Sequence, residues 1–167
     1  MRHSKGAQVL ARVGACVAVV SSIVMFAGSA SAAAATSAAT RHGYDRAEFA
    51  LSLSGDELRD GGDRDGRSFA RLDLDAENER VCYVVSWSRL DGDVTAFHIH
   101  NAPSREDGPI WINFFNNRHL DGDRDTAASC VHSERWKIQN VIEHPSDYYL
   151  NLHTTAHEMG ALRGQLG

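Results

Sequence analysis

From residue 48 onward, the chain consists of short runs in which apolar and polar residues alternate, separated by clusters of Gly, Asp, Asn and Pro. Alternation with a period of two is typical of a β-strand that buries one face, because successive side chains point to opposite faces. Short strands at regular spacing predict an all-β sandwich or barrel. The strands predicted in this way cover residues 48–53, 68–74, 79–90, 94–100, 109–115, 147–154 and 160–166.

One segment has a pattern that favours a helix instead. Residues 134–143 place Trp136, Val141 and Ile142 roughly on one side of a short helix, which Pro145 ends. No series of helices connects the predicted strands, so a parallel sheet is not supported and antiparallel pairing is expected. Residues 116–129 are polar and rich in turn residues, and we predict no strand there.

The start of the chain has the pattern of a secretory signal. Arg2, Lys5 and Arg12 form a basic region, and a long apolar stretch without charges follows it. Residues 30–32 (Ala-Ser-Ala) match the small residues of a cleavage site. These features predict a signal peptide at residues 1–32 and a protein that is secreted.

The rest of the chain divides into a short lead-in and one domain. Residues 33–43 are rich in Ala, Ser and Thr and are predicted to be disordered. Residues 44–167 are long enough for a single hydrophobic core and are predicted to form one domain. An uncleaved membrane anchor is the alternative to a signal peptide, because residues 13–35 carry no charge and are long enough to span a bilayer.

The exported part of the chain is acidic. All 22 acidic residues but only 14 of the 17 Lys and Arg residues lie after residue 32, which gives a net charge of −8 with histidine neutral. Lys137 is the single lysine of this part, so no basic stripe for nucleic acid exists. We expect a soluble protein that has an unknown extracellular or cell-envelope partner, binds no nucleic acid and does not contact a membrane after signal cleavage.

Two cysteines, Cys82 and Cys130, remain after the predicted signal peptide. Two cysteines in an oxidising compartment most simply pair with each other. Such a bridge would close about 49 residues and stabilise the fold by about 4 kcal/mol in the chain-entropy model. A reactive or metal-binding thiol pair is the alternative.

Three histidines are candidates for a metal site. His98 and His100 are two residues apart on one predicted strand, so their side chains share a face about 7 Å apart. His153 lies on another predicted strand and would supply a third imidazole, a set that suits copper or zinc. The alternative is that all three hydrogen-bond to loop carbonyls and fix the strand ends. His157 is expected to stay outside this set.

Other chemistry finds little support in the sequence. Asp121, Asp123 and Asp125 have the opening spacing of a calcium loop, but Thr126 and His132 stand where such a loop has Gly and Glu. An acidic turn is therefore expected there. The chain has no GxSxG nucleophile motif and no phosphate-binding glycine loop. No catalytic residue is assigned, and we expect a protein that is not an enzyme.

Several motifs together resemble the CHRD domain, which is named after chordin, in the form of a secreted bacterial protein with one copy of the domain. The resemblance covers residues 47–167. It rests on 62–66 (GDRDG), on the cysteines at 82 and 130, on 98–103 (HIHNAP) followed by Gly-Pro at 108–109, on 148–154 (YYLNLHT) and on 162–166 (LRGQL).

The resemblance implies an antiparallel Greek-key sandwich or barrel, similar to immunoglobulin domains or to copper/zinc superoxide dismutase. In that comparison, His98 and His100 resemble two copper ligands and His153 lies near a third. The family has no settled biochemical function, and fold likeness alone does not establish one. We expect a non-catalytic binding or structural module without a cofactor; the alternative is a copper- or zinc-binding, redox-active domain similar to superoxide dismutase.

Overall fold

The computed structural model describes residues 37–167, and the predicted signal peptide at 1–32 lies outside the described residues. None of the helices in this part of the chain is long and apolar enough to cross a membrane. The helix α1 is Arg135–Glu143, and two short 3₁₀ helices are Gly55–Glu57 and Pro145–Asp147. The strands are β1 (Ala38–Arg41), β2 (Arg46–Leu53), β3 (Arg67–Asp75), β4 (Arg80–Ser88), β5 (Val94–Asn101), β6 (Ile110–Phe115), β7 (Arg124–His132), β8 (Tyr148–Thr154) and β9 (Leu162–Gln165).

The strands form two antiparallel sheets. The first sheet has the order β1-β2-β3-β4-β7, and the second has the order β6-β5-β8-β9. The chain crosses from one sheet to the other after β4, after β6 and again after β7. Within residues 37–167 the sheets do not close into a barrel, so the all-β sandwich is confirmed and the barrel form is not.

The core lies between the inner faces of the two sheets. Phe49 and Leu74 of the first sheet and Phe97, Ile99 and Leu150 of the second are at most 1% exposed. These residues belong to the alternating runs, so the period-two pattern correctly identified the buried faces of the strands that contain them. The helix α1 adds one apolar side to the same core, through Ile138, Val141 and Ile142.

Two strands were not predicted. No strand is expected at residues 116–129, yet β7 begins at Arg124 and pairs with β4 along its whole length. The prediction was wrong because β7 is an edge strand whose side chains are exposed or half-buried, so no apolar alternation marks it. The same correction applies at 38–41, inside the predicted disordered lead-in. There β1 pairs with β2 through its backbone, and all four of its side chains are exposed.

The predicted disulfide between Cys82 and Cys130 is confirmed. The two residues face each other across β4 and β7, with their Cα atoms 3.9 Å apart. Val81 and Tyr83 point into the core, so the bridge lies on the opposite, outer face of the first sheet. Cys82 is half-buried and Cys130 is exposed.

Candidate metal centre

The strands of the second sheet place all three candidate histidines on its outer face. Phe97 and Ile99 of β5 belong to the core, so His98 and His100 point away from it. The same parity on β8 turns His153 outward. The outward-facing residues of β5, β8 and β9, which we call the polar face, are Ala96, His98, His100, Tyr149, Asn151, His153, Arg163 and Gln165.

Three loops cover the polar face, so its histidines are buried although they lie outside the core. His98 is 3% exposed, His100 is 8% exposed and His153 is 9% exposed. The covering loops are residues 54–63, 102–109 and 155–161, and each of them has hydrogen bonds to the strands below. A buried imidazole loses its hydrogen bonds to water. Polar partners in the protein must replace those hydrogen bonds, or the burial is unfavourable.

Backbone carbonyls fix the orientation of two of the imidazoles. His100 Nδ1 is 2.9 Å from the Gly108 carbonyl oxygen, and His153 Nδ1 is 2.9 Å from the Glu158 carbonyl oxygen. A carbonyl only accepts, so both Nδ1 atoms carry the proton and donate. Each Nε2 atom therefore keeps its lone pair, which is the usual arrangement of a metal-binding histidine.

The third imidazole contacts one of the other two directly. His98 Nδ1 is 3.2 Å from His153 Nε2, and with His153 in the tautomer given above this contact is a hydrogen bond donated by His98. The Nε2 atoms of His98 and His100 are buried and have no hydrogen-bond partner.

The electrostatic environment keeps the three imidazoles neutral. Burial, together with the smaller effects of the neighbouring His153 and His100, lowers the pKa of His98 to about 3. Burial also lowers the pKa of His100 and of His153, although the carbonyl hydrogen bond of each opposes this shift. Neutral imidazoles are the form that binds a metal ion, because a protonated ring has no free lone pair.

These pKa shifts predict how the stability of the metal-free protein depends on pH. The histidines are neutral in the folded state, whereas in the unfolded chain they take up protons below about pH 6.5. The free energy of unfolding should therefore fall as the pH drops from about 6.5 towards 4, by at most about 1.4 kcal/mol per pH unit for each histidine. Urea unfolding in the presence of a chelator, at several pH values, measures this slope.

The control for this prediction compares a buried with an exposed histidine. His98→Gln removes one buried imidazole and should make the slope shallower. His42→Gln removes an exposed histidine from the turn before β2 and should leave the slope unchanged. Equal slopes in the wild type and in His98→Gln would contradict the prediction.

A stack of side chains supports His100 from one side. The imidazole of His100 lies parallel to the ring of Tyr149, with 5.0 Å between centroids and 17° between planes. On β9, the guanidinium of Arg163 lies 3.5 Å from the centroid of the same tyrosine ring. Sequence reasoning assigned no role to Tyr149 or Arg163. The available signal was strand alternation, because Tyr149 lies four residues before His153 and Arg163 directly follows the buried Leu162.

The candidate centre is reached through a cleft of about 190 Å³ between the covering loops. His100 and His153 line this cleft, and His98 is not among the lining residues. Three acidic residues, Asp60, Asp107 and Glu158, line it together with one basic residue, Arg59. A cation that approaches the histidines therefore passes an opening with more acidic than basic residues.

The other predicted sites remain separate from this centre. Asp121 in an exposed turn and Asp125 at the start of β7 accept hydrogen bonds from nearby backbone amides, and in residues 37–167 these aspartates form no cluster of potential ligand atoms. The expected acidic turn is present at Asp121 and Asp123, whereas Asp125 belongs to the strand. His157 lies near Asp63 and Asp91 rather than with the three histidines. The carboxylate of Asp63 already accepts hydrogen bonds from the backbone amides of Gly66 and Asp91, so it connects two loops.

Comparison with known proteins identifies the family. The family model described as the CHRD domain matches residues 49–166, which include both sheets except β1 and the start of β2. No match was found among curated proteins or among solved structures. The likeness to immunoglobulin or superoxide dismutase folds therefore stays a prediction. Because the match extends over most of its length, the chain belongs to the CHRD domain family.

Proposed function

We propose that this CHRD domain is an exported, non-catalytic module that binds one copper or zinc ion through His98, His100 and His153. The observation that carries the proposal is the pair of buried, unpartnered Nε2 atoms on His98 and His100. A buried polar atom without a partner costs about 1–3 kcal/mol, so two such atoms in one cluster need an explanation. A metal ion bound to the cluster supplies that explanation.

The donor set fits the chemistry of these metals. One ring nitrogen from each histidine lies within 4.8 Å of the others, and imidazole nitrogen is a ligand for both copper and zinc. The Gly108 and Glu158 carbonyls hold two of the rings in the tautomer that a metal needs. The bound ion would connect β5 to β8 and complete the polar face.

We include no catalytic step because the titratable groups of the polar face are poorly suited to proton transfer near neutral pH. Burial lowers the pKa of the histidines and raises the pKa of Tyr149, and Arg163 stays charged at any physiological pH. General acids and bases work best with a pKa near the operating pH. An oxidising, extracellular location is supported by the disulfide, whose Cys130 is exposed to solvent.

A second candidate function is a purely structural role for the histidines in a module that binds an extracellular partner. The direct hydrogen bond between His98 and His153 favours it, because it links β5 to β8 without a metal. In this case the three imidazoles serve to hold the covering loops, and the surface of those loops is free to contact a partner.

Metal content distinguishes the two functions. The protein is expressed from its full-length chain without a polyhistidine tag, reconstituted with copper or zinc, and analysed by mass spectrometry for bound metal. We expect about one ion per chain. His100→Gln should weaken metal affinity by at least about 100-fold, because loss of an outer partner alone costs 10–100-fold.

The matched control for His100→Gln is His144→Gln, which removes an exposed histidine at the end of α1. This variant should bind metal like the wild type. Circular dichroism of each variant verifies that it is folded. Sub-stoichiometric metal in the reconstituted wild type would contradict the metal-binding proposal, and a loss of stability in His100→Gln without any metal would support the structural role.

A further inference from the structure

The opening of the cleft has a thioether side chain in addition to its acidic residues. Met159 lines the cleft together with His100 and His153, and its side chain is 88% exposed. Among the residues that the structure describes, it is the single methionine. A thioether is a soft ligand that favours copper(I), whereas carboxylates favour hard cations.

The backbone on both sides of Met159 is fixed to the polar face. The Glu158 carbonyl accepts a hydrogen bond from His153, and the Met159 carbonyl accepts one from the Asn151 amide at 3.3 Å. Gly160 follows with φ +138°, and a Cβ atom there would lie 2.5 Å from the Asn151 side chain. The loop is therefore held close against Asn151, while Met159 is exposed at the opening.

We propose that Met159 makes the site selective for copper(I) by providing a thioether ligand at the mouth of the cleft. This inference rests on the proposed metal site and adds the identity and oxidation state of the ion. The carboxylates of Asp60, Asp107 and Glu158 attract any cation, so they cannot distinguish copper from zinc. The thioether can, because zinc in proteins is bound by thiolate, imidazole and carboxylate groups.

The test compares two metals in three proteins. Copper(I) affinity is measured without oxygen by competition with a chromophoric copper(I) chelator, and zinc(II) affinity by competition with a zinc indicator. The proteins are the wild type, Met159→Leu and Glu158→Gln. Leucine retains the size and apolar character of methionine without the sulfur, and because the position is exposed the variant should keep the thermal stability of the wild type.

We expect Met159→Leu to weaken copper(I) binding by about tenfold or more and to leave zinc(II) binding within about twofold of the wild type. Glu158→Gln should weaken binding of both ions by a similar, smaller factor. Copper X-ray absorption spectra should show a sulfur ligand in the wild type that is absent from Met159→Leu. Equal copper(I) affinity in the wild type and Met159→Leu would overturn the proposal, as would an equal loss for both metals. A wild type that binds neither metal would instead overturn the metal site itself.

Discussion

Replacement of Arg163 with leucine is expected to lower the free energy of unfolding by about 3 kcal/mol. Arg163 is 1% exposed, and its guanidinium donates hydrogen bonds to the Pro103 and Glu106 carbonyls and to the Gln165 side chain. Leucine would leave the Glu106 carbonyl and the Gln165 side chain without this donor, whereas the Pro103 carbonyl would keep the Glu106 amide as a donor. An acceptor that loses its donor where water cannot replace it costs about 1–3 kcal/mol. The cation–π contact with Tyr149 would also be lost.

The expected cost is less than the sum of these contributions for two reasons. Burial of a charge is itself unfavourable and lowers the pKa of Arg163. Removal of the charge therefore offsets part of the loss in the free energy of unfolding. The loop at 102–109 can also open and let water reach its carbonyls. Arg163→Lys keeps the charge, but a lysine cannot provide the planar fork of donors that contacts several acceptors, so it should restore only a small part of the stability.

Chemical unfolding of the wild type and the variants measures this effect. The matched control is Arg71→Leu, which removes an arginine that also lies near an aromatic ring but on the exposed face of β3, 5.8 Å from the Phe69 centroid. The control should cost less than about 1 kcal/mol. If Arg163→Leu were as mild as Arg71→Leu, the proposed role of Arg163 in holding the covering loop would be wrong.

Arg163 also shows what the sequence could and could not predict. The period-two pattern of β9 correctly places Leu162 in the core and Arg163 on the other face. An arginine on the outer face of a strand is normally exposed, yet here it is among the most deeply buried side chains. Side-chain direction depends on local alternation, whereas burial of the outer face depends on loops that come from distant parts of the chain.

In the histidine cluster, too, the direction of the side chains could be predicted but their surroundings could not. That His98 and His100 share a face follows from their spacing, and the shared face was predicted. The strand pairing that brings His153 beside them joins residues about 55 apart, and the Gly108 and Glu158 carbonyls belong to loops without a regular pattern. Neither the pairing partner nor the path of a loop is determined by local periodicity, so the contacts that orient the rings could not be predicted.

The edge strand β7 was missed because neither of its faces is fully buried: Ala127 and Val131 are half-buried against the core, and the side chains of the other face are exposed. Its membership of the sheet depends on backbone pairing with β4 and on the bridge between Cys82 and Cys130. For a strand with so few buried side chains, the disulfide should contribute a large part of the stability. This leads to the prediction with the largest expected effect.

The double replacement of Cys82 and Cys130 with alanine is expected to cost about 4 kcal/mol, because it releases the closed loop of the unfolded chain. The folded structure should persist, since the β4–β7 ladder and the core do not depend on the sulfur atoms. Chemical unfolding of the wild type and the variant measures the change. Hydrogen exchange should show that the amides of β7 lose more protection than those of β3, which lies between two neighbours in the sheet.

The wild type under reducing conditions provides the matched control for this variant. Because Cys130 is exposed, a thiol reductant should reach the bridge in the folded protein and lower its stability to that of the double variant. The double variant itself should not respond to the reductant. A cost below about 1 kcal/mol, or equal protection of β7 in both proteins, would mean that backbone pairing alone holds this edge. In that case the bridge would have to be explained by something other than the stability of the sheet.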